Sequence, residues 1–333
     1  MIRRLALLCL ALAAPALGQT TLNGAGATFP YPMYSKWFSE YHKAHPEVEI
    51  NYQPIGSGGG IRQVLAGTVD FGGSDATMSD EQLSQAKIKI LHIPTVLGAV
   101  VPAYNIPGVS GEVKFTAQAL AGIFLGKITS WNDPAIAEAN PGVNFPNQPI
   151  VVIHRSDGSG TSFIFTDYLS KISPDWQSGP NKGASIKWPV GLGGKGNEGV
   201  AGMIRQMQGA IGYIELIYAV QNKIPYGVVK NASGDFVKAS LESVTAAAAS
   251  APKMPADFRV SITNAPGKDA YPISSFTWLL IPVQSKDAAK GKIIADFLNW
   301  MVNDGQKMTA DLTYAPLPDN VAAKVKDAIK QVH

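Results

Sequence analysis

Arg155-Ser156-Asp157-Gly158-Ser159-Gly160-Thr161 brings a guanidinium, hydroxyls and unblocked backbone N–H groups into seven consecutive residues. An apolar run at 150–154 precedes them and helical spacing over 162–169 follows. The first turn of a helix exposes N–H groups that have no internal partner and carry partial positive charge, so an anion is stabilised there. Arg adds a fork of paired donors matched to an oxyanion. The chemistry offered is capture of a small oxyanion. A glycine-rich turn beside a surface Arg would show the same letters.

Two further segments have this form, a strand-like run, then small residues, then a helix. Gly56-Ser57-Gly58-Gly59-Gly60 follows the alternating Val48, Ile50 and Tyr52. Gly24-Ala25-Gly26-Ala27-Thr28-Phe29-Pro30 follows a strand run at 20–23. Taken singly, the first is also an ordinary glycine turn, and Thr28 and Phe29 are also a helix start with a core aromatic. Asp75 is the odd member, a carboxylate leaving the strand run at 69–72 at the same end as the anion loops; a helix cap or loop contact would also account for it. No Gly-x-x-x-x-Gly-Lys-Ser/Thr occurs, so these are not nucleotide P-loops. Pro189 stands where the first glycine would be needed for Lys195.

The elements that must position these residues alternate. Met33, Trp37 and Tyr41 recur at i, i+4 and i+8 with Phe38 beside them, and Pro32 suits a first helical turn. The pattern predicts further helices over 61–66, 116–124 (capped by Thr116), 200–208, 236–249, 288–303 and 318–332. It predicts strands at 90–94, 97–101, 150–154, 211–214 and 273–282, with a long flexible turn over 191–199. Such alternation argues for an α/β protein with parallel-rich sheets, in which ligands sit outside the carboxyl ends of the strands.

Bulk properties exclude other classes. Arg3 and Arg4, an apolar stretch over 5–17 and Ala16-Leu17-Gly18 read as a secretory signal peptide cleaved after Gly18. Cys9, the one cysteine, leaves with it, so neither disulfides nor thiolate metal sites are expected. The formal charge falls from +3 to +1 with the two arginines. Without a basic run of three, binding to nucleic acid is not expected. The length suggests two domains.

Together these motifs resemble the periplasmic phosphate-binding proteins of high-affinity ABC phosphate transporters. The likeness also covers Val69-Asp70-Phe71-Gly72-Gly73-Ser74-Asp75, residues 126–134, and Gly196-Asn197-Glu198-Gly199-Val200. The resemblance implies a type II binding-protein fold of two α/β lobes with the ligand in the cleft between them. Lobe 1 would comprise 19–95 and 270–333, and lobe 2 98–262, with crossovers near 94–98 and 260–272. It implies that Thr28 and Phe29 bind through backbone N–H groups, with the Thr28 hydroxyl as an additional contact, and Ser57 through hydroxyl and backbone. Asp75 would accept a hydrogen bond from the ligand. Arg155 would form the charged fork, steadied by Asp157, and Ser159, Gly160 and Thr161 would complete the cage. Gly58 departs from the pattern, since many relatives carry a second Ser there. The implied protein is a periplasmic monomer that closes on inorganic phosphate and is read by membrane permease subunits. It needs no cofactor and no metal and is not an enzyme. A Ser159 hydrolase is the rival, but neither Ser57 nor Ser159 lies in Gly-x-Ser-x-Gly. His154 reads as packed. A sulfate or molybdate binder is the second rival, and a surface adhesion or structural protein of the same fold, without saturable small-ligand binding, is the third.

Overall fold

The computed structural model describes residues 19–333; the signal-peptide reading falls on residues 1–18, outside them. The chain begins with β1 (Thr20–Gly26), α1 (Tyr31–Ala44), β2 (Val48–Gln53), α2 (Ser57–Ala66), β3 (Phe71–Ser74), α3 (Asp80–Ser84) and β4 (Ile90–Asn105). The middle holds β5 (Lys114–Phe115), α4 (Ala117–Phe124), α5 (Pro134–Ala137), β6 (Val151–Arg155), α6 (Gly160–Ile172) and α7 (Pro174–Ser178). It continues with β7 (Leu192–Gly194), α8 (Gly196–Gln206), β8 (Ala210–Glu215), α9 (Leu216–Gln221), β9 (Val228–Lys230), β10 (Phe236–Val237) and α10 (Leu241–Ser250). After an irregular stretch come β11 (Ser274–Pro282), α11 (Ala288–Asn303) and α12 (Asp319–Ile329).

Eight strands lie in the order β2-β1-β3-β11-β4-β8-β6-β7. β1 is parallel to β2 and β3, and β6 is parallel to β7 and β8, so each half is parallel at its outer edge. The antiparallel pairings β3·β11, β11·β4 and β4·β8 occupy the centre. This is the two-lobed, parallel-rich α/β fold expected. β4 serves both halves. It pairs with β11 as far as Ala99 and with β8 from Val100 onward.

The sequence pattern divides β4 in two, at 90–94 and 97–101; the molecule runs it as one strand of 16 residues. Pro94 cannot donate to the ladder, which reads as a break. The strand absorbs it with a register shift opposite Thr277/Trp278. The extra residue is Thr95 of β4, whose hydroxyl donates to Thr277 O at 3.2 Å. The helix expected over 236–249 starts later. Phe236 and Val237 pair with β9, and a Ser240/Ser243 capping box opens α10 at Leu241.

The two ends of the chain share one core. On α1, Met33, Tyr34, Trp37, Phe38 and Tyr41 are buried. Phe38 and Tyr41 meet Phe297 of α11 with ring centroids 5.4 and 5.2 Å apart. Each such side chain contributes about 1.5–3 kcal/mol by leaving water. Across β4 the same continuous core stacks Phe165 on Tyr213 at 4.5 Å, with Phe124 edge-on to Phe165. No helix among the described residues is long and apolar enough to cross a membrane.

Candidate functional site

The three loops singled out in the sequence meet, and two of them prove to be helix starts. α2 begins at Ser57 inside the glycine run, not at residue 61. α6 begins at Gly160, not at 162, and α8 at Gly196 inside the stretch expected to be a flexible turn. Low glycine propensity hides these first turns. Tertiary approach requires the glycines: a Cβ on Gly60 would stand 2.6 Å from Ala25 O and 2.8 Å from Gly73 O. The N–H groups of the small residues therefore belong to helix first turns, where no carbonyl of their own helix meets them and anion capture is favoured. Across the site Gly158 O takes the Gly58 N–H, Ser57 Oγ that of Gly160 and Asp157 Oδ1 that of Gly196.

Arg155 ends β6 and is 3% exposed. Asp157 grips it side-on, with Nε–H donating to Oδ1 at 2.8 Å and Nη2–H to Oδ2 at 2.6 Å. Nη1–H donates to Thr161 Oγ1 at 3.2 Å. This leaves one N–H on each terminal nitrogen to meet an anion as a pair. Burial pushes the Asp157 carboxyl up, but the hydrogen bonds and charge of Arg155, with the Gly196 N–H, outweigh it and hold the group below the usual range.

Ser57, from the other half, is fully buried and spans both sides. Its Oγ accepts from the backbone N–H of Asp75 and of Gly160, each at 3.1 Å. The Gly58 N–H donates to Gly158 O at 2.9 Å. β3 and β6 stand on opposite sides of β4, so these contacts hold the two lobes closed. Ser159 is buried and caps α6, its Oγ accepting from the Ser162 N–H at 3.0 Å. Thr28 and Phe29 lie buried between β1 and α1. Their carbonyls accept from Tyr218 and Tyr314 hydroxyls, both at 2.6 Å. An amide whose carbonyl is so engaged is a better N–H donor, and the Thr28 carbonyl shares its peptide with the Phe29 N–H.

Asp75 is 2% exposed, and Thr277 Oγ1 donates to its Oδ1 at 2.7 Å. Burial raises its carboxyl from 3.8 to about 7, against the opposing effects of the Thr277 hydrogen bond, the Arg155 charge and Ser57. A cavity of about 220 Å³ reaches Asp75 past Phe163, Asp167, Lys182 and Arg259. His154 stacks on Trp188, centroids 5.0 Å apart.

All nine residues singled out in the sequence are thus gathered around one place. Sequence reasoning missed Asn197, Thr277, Tyr218 and Tyr314. Asn197 carried a signal, the Gly196-Asn197-Glu198-Gly199 run at a helix start. Thr277 is lost in an apolar strand, and the tyrosines look like core until their hydroxyl partners are known.

Gly160 makes closure testable. A Cβ there would stand 2.6 Å from both Cβ and Oδ2 of Asp75, across the lobe contact. Gly160→Ala should weaken ligand binding about 10- to 100-fold by wedging the lobes. The melting temperature of the ligand-free protein should hold, and small-angle scattering with saturating ligand should show an incompletely closed molecule. Unchanged affinity would mean that this contact does not accompany binding.

A two-lobed α/β molecule closed over a small buried set of N–H and O–H donors is a solute-binding protein. A family model described as a PBP superfamily domain matches residues 12–305. The phosphate-binding protein PstS of Xylella fastidiosa (strain Temecula1) is 47% identical over 307 residues, 92% of this chain and 84% of that protein. The phosphate-binding protein PstS of Haemophilus influenzae is 45% identical over 93% of this chain and 92% of its own length. Among solved structures, a high-affinity periplasmic phosphate-binding protein (PfluDING) bound with phosphate superposes with a TM-score of 0.75. It is 23% identical, over 92% of this chain and 93% of that one. The chain belongs to the PBP superfamily and, within it, to the family of the phosphate-binding proteins PstS, which are binding proteins and not enzymes.

Proposed function

We propose that this protein captures inorganic phosphate outside the cytoplasmic membrane and delivers it to the permease subunits of an ABC transporter. Phosphate is held by Thr28, Phe29, Ser57, Asp75, Arg155, Ser159, Gly160 and Thr161, with Asp157 steadying the guanidinium. The observation that carries this reading is a buried cage of donors shared by both lobes and containing a single carboxyl, Asp75, free of an arginine partner. Donors suit the ionised oxygens of phosphate. The carboxyl suits its remaining P–O–H, which persists at neutral pH because the second pKa lies roughly at 6 to 7. The names of the PstS relatives support the same ligand.

Lobe 1 is assigned to 19–95 and 270–333 and lobe 2 to 98–262. The exchange of β4 from β11 to β8 falls between Ala99 and Val100, just past the assigned 94–98 crossover, and supports a division of the chain close to it. The segment before β11 serves as the second crossover. Arg259 reaches Met78 O at 3.0 Å on one side, while Ser261 and Thr263 donate to Asp167 at 2.7 and 2.6 Å on the other. The protein works as a periplasmic monomer, its signal peptide cleaved after Gly18, with no cofactor.

Calorimetry on the mature, ligand-stripped protein at pH 8 tests the proposal. Phosphate should bind saturably one to one, and sulfate should bind far more weakly. The absence of saturable phosphate binding, or equal binding of sulfate, overturns it.

A further inference from the structure

Asn197, the second residue of α8, is fully buried and touches both lobes. Its Nδ2 donates to Thr28 Oγ1 at 2.8 Å and to Thr161 Oγ1 at 3.1 Å. Its backbone N–H, one of the helix's orphan donors, also reaches Thr28 Oγ1, at 3.2 Å. The orientation of the amide is fixed, because Oδ1 accepts the backbone N–H of Glu215 at 2.9 Å and only an oxygen can do so.

A hydroxyl has two lone pairs and one hydrogen. Thr28 Oγ1 accepts from both Asn197 N–H groups. Thr161 Oγ1 accepts from Asn197 and from Arg155 Nη1. Ser57 Oγ accepts from the Asp75 and Gly160 N–H groups. In each case both lone pairs are engaged; Ser57 directs its O–H toward Asp75 Oδ2 at 3.5 Å, and on Thr28 and Thr161 what remains is the O–H itself. A freely rotating threonine presents either face to a ligand, as donor or acceptor; these do not.

We propose that Asn197 is a specificity-determining residue that locks the Thr28 and Thr161 hydroxyls as donors. This inference rests on the phosphate reading. The locked hydroxyls admit an oxyanion only with its unprotonated oxygens toward them, so the ligand's hydrogen has Asp75 as its place. The selected ligand is a tetrahedral oxyanion with one protonated oxygen, bound in a single orientation.

The test is a double-mutant cycle measured by calorimetry with inorganic phosphate at pH 7. Thr161→Val removes only the hydroxyl and should weaken binding about tenfold in the otherwise unchanged protein. In Asn197→Asp the new carboxylate draws the hydroxyl hydrogens toward itself and turns lone pairs to the ligand. Phosphate should then bind about 100-fold more weakly than to the parent protein. In that background Thr161→Val should cost no more than about twofold, and the pH optimum of binding should move acid, toward the more protonated anion. Simple repulsion by the added charge would leave the tenfold cost of Thr161→Val intact, and that result overturns the proposal. Should Asn197→Asp fail to fold, Asn197→Ala replaces it. The cost of Thr161→Val must then fall to about threefold, and an undiminished cost overturns the proposal equally. If the parent protein binds no phosphate, the underlying reading fails instead, so the two failures are distinct.

Discussion

Arg155→Ala should lower phosphate affinity roughly a thousandfold. Hydrogen bonds from a charged donor contribute about 1.5–3 kcal/mol each, and the guanidinium has two N–H groups to offer after Asp157 and Thr161 have taken theirs. Tenfold in affinity corresponds to about 1.4 kcal/mol, so the loss of both spans two to four decades. The substitution also strands Asp157, whose carboxylate is held ionised by Arg155 and would then face an incoming anion unneutralised. Arg155→Lys should recover part of the loss through its charge, but not the paired geometry. Titration calorimetry separates the three proteins, with melting curves to establish that each is folded. A loss below tenfold would place the anion elsewhere.

The second large effect concerns discrimination. At pH 8 the buried Asp75 carboxyl, raised to about 7, is mostly ionised in the ligand-free protein and offers only lone pairs. Phosphate meets it with P–O–H, whereas sulfate brings oxygen against oxygen. An unpaired buried acceptor costs about 1–3 kcal/mol, more when charged. Asp75→Asn replaces one lone-pair face with an amide donor, so the phosphate-to-sulfate affinity ratio should shrink about 10- to 100-fold. The unaltered protein should itself lose discrimination as the pH falls through about 7, because a protonated Asp75 donates to sulfate. The Asn variant should show no such dependence.

Linkage gives an independent check on the same group. The folded-state pKa lies above the ordinary carboxylate value, so Asp75 favours the folded state below about pH 4, and that contribution is lost as the pH rises through about 7. Ligand-free Asp75→Asn should therefore melt higher than the parent at pH 8, with the gap closing toward pH 4. A constant selectivity ratio across pH, together with parallel melting temperatures, would refute the account of Asp75.

The local chemistry of this site was legible because it is local. Arg155, Asp157, Ser159 and Gly160 are neighbours in the chain, and the sequence 155–161 already contains fork, brace, cap and helix start. Hydrophobic spacing disclosed α1, α4 with its Thr116 cap, and α11, because each has one face that must leave water. Glycine-rich first turns misled the helix boundaries at Ser57, Gly160 and Gly196, since intrinsic propensity cannot register the backbone of a distant strand pressing against Gly60. Pro94 misled the reading of β4, since the bulge at Thr95 that carries the strand past it exists only in the pairing with β11.

Tertiary structure alone decided the rest. Thr277 becomes a donor to Asp75 through the register of β11, 202 residues away in the chain. Asn197 binds Thr28 across 169 residues and Thr161 across 36, and no local pattern encodes those separations. Residue types and short spacings set out which donors an anion would meet. Convergence of strands from both ends of the chain determined which of their lone pairs were already occupied, and therefore which way each hydroxyl points. Hydrogen-bond direction is a property of all the partners of an atom at once, and those partners exist together only in the folded molecule.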